Sequence, residues 1–151
     1  MTVTFKVTCA NRHQFEAVGT GAGSYGEFVM YGAAIKAGPA YLFALEDPVY
    51  REVSALIDEL PETRGRSELQ RADLLQEVFG VACDPAPDGS RYKIGFPPCP
   101  TCGTHKLDTW SVLDAYNGPV LPVTHQAWNA ASKAQKTAWL KDALARTYPS
   151  S

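Results

Sequence analysis

Two short clusters of soft metal-binding side chains lie at opposite ends of this chain and constrain its fold more than any other feature. The first is Cys9-Ala10-Asn11-Arg12-His13, and the second is Cys99-Pro100-Thr101-Cys102-Gly103. Two thiolates three positions apart grip a single tetrahedral ion from a tight turn. Gly103 allows the sharp reversal that aims backbone N–H groups at the sulfurs. A tetrahedral site needs four ligands, and Cys9 with His13 supplies the other two. The spacing therefore predicts one structural zinc per chain held by Cys9, His13, Cys99 and Cys102. Residues 14–98 would then form a loop closed by the metal.

Other uses of these residues stay open. Cys83 could replace His13, and His105 could compete as a ligand. Cys99 and Cys102 could also form a redox dithiol, but that chemistry wants the first cysteine at a helix N-terminus. Here a β-like segment follows Gly103.

The strings TCANRHQFE and CPTCGTHK resemble the two knuckles of rubredoxin-like zinc ribbons in small bacterial proteins. Those proteins often read Cys-x-x-Gly-His-x-Phe-Glu and then Cys-Pro-x-Cys-Gly. The resemblance implies Cys9 and His13 as the first ligand pair and Cys99 and Cys102 as the second. It carries no specific activity. Arg12 stands where those proteins often carry glycine, and the stretch between the knuckles is far longer than in them.

Patterning fills in the rest. Val3, Phe5, Val7 and Cys9 alternate with Thr2, Thr4, Lys6 and Thr8, as in a half-buried strand. Phe15–Val18 can return as a second strand, and residues 19–26 form a glycine-rich loop or wide hairpin. Phe28–Tyr31 and Tyr41–Leu45 read as two further strands, set apart by Lys36-Ala37-Gly38-Pro39. Asp47-Pro48 opens a helix by capping and by proline at its first position. Val49, Val53, Leu56, Ile57 and Leu60 give that helix its apolar face. Ser67 with Gln70 makes a capping box for a second helix. Its buried face is Leu74, Leu75, Val78 and Phe79, and Gly80 is expected to close it. Tyr92, Ile94 and Phe96 alternate into Cys99, and Leu107–Leu113 forms another strand. A short helical turn holds Trp128. A second capping box, Ser132 with Gln135, starts the last helix.

The expected fold is α+β in a single domain, 1–151. A β-rich zinc ribbon comes from 1–18 and 91–113, a helical-hairpin subdomain is inserted at 19–90, and a C-terminal helical segment spans 120–148. The 45% apolar content suits a globular core. No run approaches about 18 apolar residues and no signal peptide is evident, so a cytoplasmic protein without a membrane span is expected.

Gly21-Ala22-Gly23-Ser24-Tyr25-Gly26 matches a dinucleotide-binding pattern, but a strand rather than a helix is expected after it. His125 reads as a structural or capping residue. Trp110, Trp128 and Trp139 read as core before binding patch. Lys133, Lys136, Lys141 and Arg146 give the last helix a basic face. A closed four-ligand site leaves no position for substrate, so the sequence points away from an enzyme. The expected function is zinc-stabilised binding to another protein, as in regulatory or immunity-type bacterial proteins. The alternative is a nucleic-acid-associated ribbon, which the net charge of −2 disfavours.

Overall fold

The computed structural model describes residues 2–21, 25–32 and 38–147. The chain is mixed α and β, with two sheets and four helices among those residues. The first sheet has the order β2-β1-β6, from β1 (Thr2–Cys9), β2 (Gln14–Thr20) and β6 (Leu107–Ala115). Its pairs are antiparallel, with Val7 opposite Phe15 on one side and Trp110 on the other. The second has the order β5-β3-β4-β7, from β3 (Glu27–Gly32), β4 (Ala40–Phe43), β5 (Tyr92–Ile94) and β7 (Leu121–Pro122). Its pairing is antiparallel except between β4 and β7.

The helices form where local chemistry allows. In α1 (Pro48–Glu59), Asp47 accepts N–H bonds from Val49 and Tyr50, and proline opens the first turn. In α2 (Glu68–Val78), Ser67 and Gln70 bond reciprocally, at 3.1 and 2.9 Å. The short α3 (Gln126–Ala130) precedes α4 (Lys133–Thr147), where Ser132 and Gln135 repeat the box.

One hydrophobic core joins the second sheet to α1, α2, α4 and Trp128. Met30, Leu42, Val53, Ile57, Leu74, Phe79 and Leu140 lie at its centre. The first sheet has far less to bury. Val3, Val7, Cys9 and Ala17 are buried outside that cluster, while nearly all of β6 is exposed. The aromatic chain Phe5–Phe96–Trp110, with centroids 5.1 and 6.4 Å apart, links the inner face of this sheet to the segment after β5.

Two expectations need correction. Tyr92–Ile94 does not run into Cys99 as part of the first sheet. It pairs with β3 in the second. Gly95, at φ +115°, turns the chain, and Pro97 and Pro98 have no N–H to carry a ladder onward. Gly80 does not end α2 with a left-handed cap, because the chain continues as a 3-10 turn over Phe79–Ala82. Glycine is needed there because a Cβ would drive into the Tyr92 carbonyl. The region between β3 and β4 and the glycine-rich segment lie partly outside the described residues, as does the end of the expected 120–148 segment.

Candidate metal centre

The four candidate ligands converge although their two clusters are far apart in sequence. Cys9 ends β1, and His13 immediately precedes β2, so both belong to one hairpin turn. Because β6 runs antiparallel to β1, with Leu107 opposite Cys9, the Cys99–Cys102 turn that leads into β6 falls beside that hairpin. A hydrogen bond from Ala10 N to Lys106 O, at 2.9 Å, fastens the two turns together. The potential ligand atoms of Cys9, His13, Cys99 and Cys102 all lie within 4.8 Å of one another and could hold a metal ion.

The turns are similarly built. In the first, Arg12 N bonds Cys9 O and Cys9 N bonds His13 O, both at 2.9 Å. In the second, Gly103 N bonds Cys99 O at 2.8 Å and Cys99 N bonds Thr104 O at 3.0 Å. Each turn needs a left-handed residue: Gly103 at φ +73°, and Arg12 at φ +68°, the one non-glycine with positive φ among the described residues.

Within the cluster, Cys9 Sγ lies 3.5 Å from His13 Nδ1 and 3.8 Å from Cys102 Sγ. The His13 backbone N–H donates to Cys9 Sγ, and the Asn11 amide donates to Cys102 Sγ, each at 3.4 Å. Such N–H···S bonds stabilise thiolates. The Asn11 amide and then the Thr104 backbone N–H hold the Cys102 thiol down at about 6. Burial pushes the Cys9 thiol above its ordinary value. Cys9 and Cys99 are buried and Cys102 is exposed.

Neither alternative ligand joins the group. Cys83 Sγ faces Phe79 O at 3.7 Å and Met30 Sδ at 4.0 Å in the main core. Burial, then the charges of Asp47 and Asp84, push its thiol up to about 12. His105 is exposed and outside the four-residue group. After Gly103 the chain enters β6 and not a helix, so the helix terminus that would activate a redox dithiol is not built there. Gly26 likewise leads into β3, which provides no helix N-terminus for a pyrophosphate.

His125 is a structural staple. Its Nδ1–H donates to Ala82 O at 2.7 Å, and its Nε2 lies 2.7 Å from Asp47 Oδ2. Both ring nitrogens are thereby engaged. Sequence reasoning missed Asp84 altogether. Its carboxylate accepts from Gln126 N, Ala127 N and Thr124 Oγ1, at 2.7, 3.0 and 2.7 Å, and so caps α3 from a distant segment. Burial raises its pKa, but these bonds outweigh burial and hold it below the ordinary carboxylate value. No local motif pairs Asp84 with α3, because the capped N–H groups lie 42 and 43 residues away in sequence.

The tryptophans have separate tasks. Trp128 is 1% exposed, donates from Nε1 to Glu52 at 2.7 Å, and packs against Trp139. Trp110 is 56% exposed on β6, beside Val112 at 57% and Leu113 at 49%. The basic face of α4 is largely neutralised. Lys133, Lys136 and Lys141 pair with Glu59, Glu52 and Glu62, and Arg146 pairs with Asp142. No helix among the described residues is long and apolar enough to cross a membrane. Comparison with protein-family models gives no match, and neither curated proteins nor solved structures show a significant similarity.

Proposed function

We propose that the protein is a non-enzymatic binding protein whose β2-β1-β6 sheet is fixed by one structural zinc at Cys9, His13, Cys99 and Cys102. The convergence of these three sulfurs and one imidazole carries the reading. Zinc bonds sulfur at about 2.3 Å and nitrogen at about 2.0 Å, so tetrahedral geometry puts adjacent sulfurs about 3.8 Å apart and sulfur and nitrogen about 3.5 Å apart. The observed separations of 3.8 Å for Cys9–Cys102 and 3.5 Å for Cys9–His13 match those edges. Four protein ligands close the coordination sphere, which favours a structural over a catalytic role. The two-knuckle resemblance to rubredoxin-like ribbons agrees with this reading.

The partner is another protein, met through the exposed apolar strand β6 with Trp110, Val112 and Leu113. Three large apolar side chains exposed along one strand favour protein contacts. Pairing of the α4 lysines with glutamates, together with the net charge of −2, weighs against nucleic acid.

Elemental analysis of protein purified without chelator is expected to give about one zinc per chain. His13→Ala should weaken zinc retention against a chromogenic chelator far more than Cys83→Ala. Equal losses would reverse the ligand assignment. For the partner, affinity capture from the native host should recover a protein with wild type that Trp110→Lys loses. Identical captures would remove β6 from the reading.

A further inference from the structure

We infer that Cys102 is a site of oxidation by hydroperoxides and that Cys9 resolves it, so that peroxide converts the metal clip into a disulfide. The inference rests on the zinc reading above and concerns how that site responds to oxidants.

Three observations carry it. Of the three clustered thiols, Cys9 and Cys99 are buried and Cys102 is exposed, so a small oxidant in solvent meets Cys102 first. Cys9 Sγ is already 3.8 Å from Cys102 Sγ. A disulfide needs about 2.0 Å, which side-chain rotation with a small shift of the exposed turn can reach. Asn11 donates to Cys102 Sγ and the His13 backbone to Cys9 Sγ, both at 3.4 Å, so hydrogen bonds from the first turn hold the two sulfurs beside each other. Cys83 is half-buried against the other core, facing Phe79 O and Met30 Sδ, and takes no part.

The chemistry balances with hydrogen peroxide as the co-reactant. The Cys102 thiolate attacks one peroxide oxygen. An S–O bond forms, the O–O bond breaks, and hydroxide leaves, with sulfur oxidised by two electrons to the sulfenic acid. The Cys9 thiolate then attacks that sulfur. The S–S bond forms, the S–O bond breaks, and a second hydroxide leaves. Two solvent protons convert the hydroxides to water. Two thiolates are thereby oxidised to one disulfide while one peroxide is reduced to two waters. Zinc keeps only Cys99 and His13, half its ligand set, and is released. The tie between β1 and the turn before β6 survives in covalent form.

The test uses the full chain. Zinc content is measured first, and peroxide is then added with a chromogenic chelator present. Free thiols are counted and non-reduced peptides are mapped by mass spectrometry. The expected result is release of the bound zinc, a fall from four free thiols to two, and a Cys9–Cys102 cross-linked peptide. Dithiothreitol and added zinc should restore the starting state. Cys83→Ala should release zinc at the wild-type rate. A Cys99–Cys102 cross-link, sulfinic acid at Cys102 without a disulfide, or retention of zinc with all thiols free would overturn the inference. So would slower release from Cys83→Ala. Protein that carries no zinc before oxidation would overturn the zinc reading instead, and peptide mapping of that sample would still decide for or against the disulfide.

Discussion

Arg12 and Gly103 occupy matching places in the two turns, yet only one of them suits its backbone. A side chain in the left-handed region costs about 1–2 kcal/mol, because its Cβ crowds the following carbonyl. Arg12 carries that cost at φ +68°, and Gly103 at φ +73° does not. Arg12→Gly should therefore stabilise the zinc-loaded protein. Glycine's greater freedom in the unfolded chain offsets part of the gain, leaving about 0.5–1 kcal/mol. Gly103→Ala should do the reverse by about 1 kcal/mol. Nothing lies within 4 Å of the added Cβ, so backbone strain alone would be at work. Urea denaturation with zinc present would measure both. A destabilising Arg12→Gly would mean that the arginine side chain contributes more than its backbone costs.

At the scale of elements, much of what forms here depends on chemistry within a few residues and can be read directly. Asp47-Pro48, Ser67 with Gln70, and Ser132 with Gln135 each start the expected helix, because cap and capped N–H groups are neighbours in sequence. The clustering of Cys9, His13, Cys99 and Cys102 was legible for a similar reason: each pair sits on its own turn, and a group able to hold a tetrahedral ion needs two pairs. What escaped was set by distant contacts. β5 takes its partner from β3, Gly80 is required by the Tyr92 carbonyl, and β7 lies parallel to β4 through two residues. The cap on α3 belongs to this class, since Asp84 reaches it from the far side of β5 and β6. Asp84→Ala should cost about 1–2 kcal/mol, at the upper range for a lost helix cap. The effect also has a pH signature. A carboxyl whose folded pKa lies below its ordinary 3.8 contributes stability above that value, and the contribution is lost as pH falls through the depressed folded value. Stability profiles of wild type and Asp84→Ala should thus run parallel at neutral pH and converge in acid. Curves that stay parallel down to acid unfolding would show that the carboxylate's charge is not what holds α3.

For the molecule as a whole, the two sheets differ in what supports them, and metal removal should separate them. The second sheet has α1, α2, α4 and Trp128 packed over it and a continuous apolar core. The first sheet buries few side chains of its own, and β6 is exposed along nearly its whole length. A three-stranded sheet with so little to bury is marginal by itself. A metal held from Cys9 to Cys102 would close most of the chain into a loop, although the entropic advantage of such closure grows only logarithmically with length. Structural zinc sites couple about 10 kcal/mol or more of binding free energy to folding. Chelation should therefore lower the melting temperature strongly, and it should act first on β1, β2 and β6. The helices keep their own contacts: Val53, Leu56 and Ile57 on α1, Leu74, Leu75 and Val78 on α2. Far-UV circular dichroism after chelation should lose strand signal and retain much of the helical signal, with amide exchange rising in 2–20 and 107–115 ahead of the helices. A melt unchanged after verified metal removal would show that the site does not hold the fold. Loss of the helical and strand signals together would show that the two sheets unfold as one unit, with the metal supporting both.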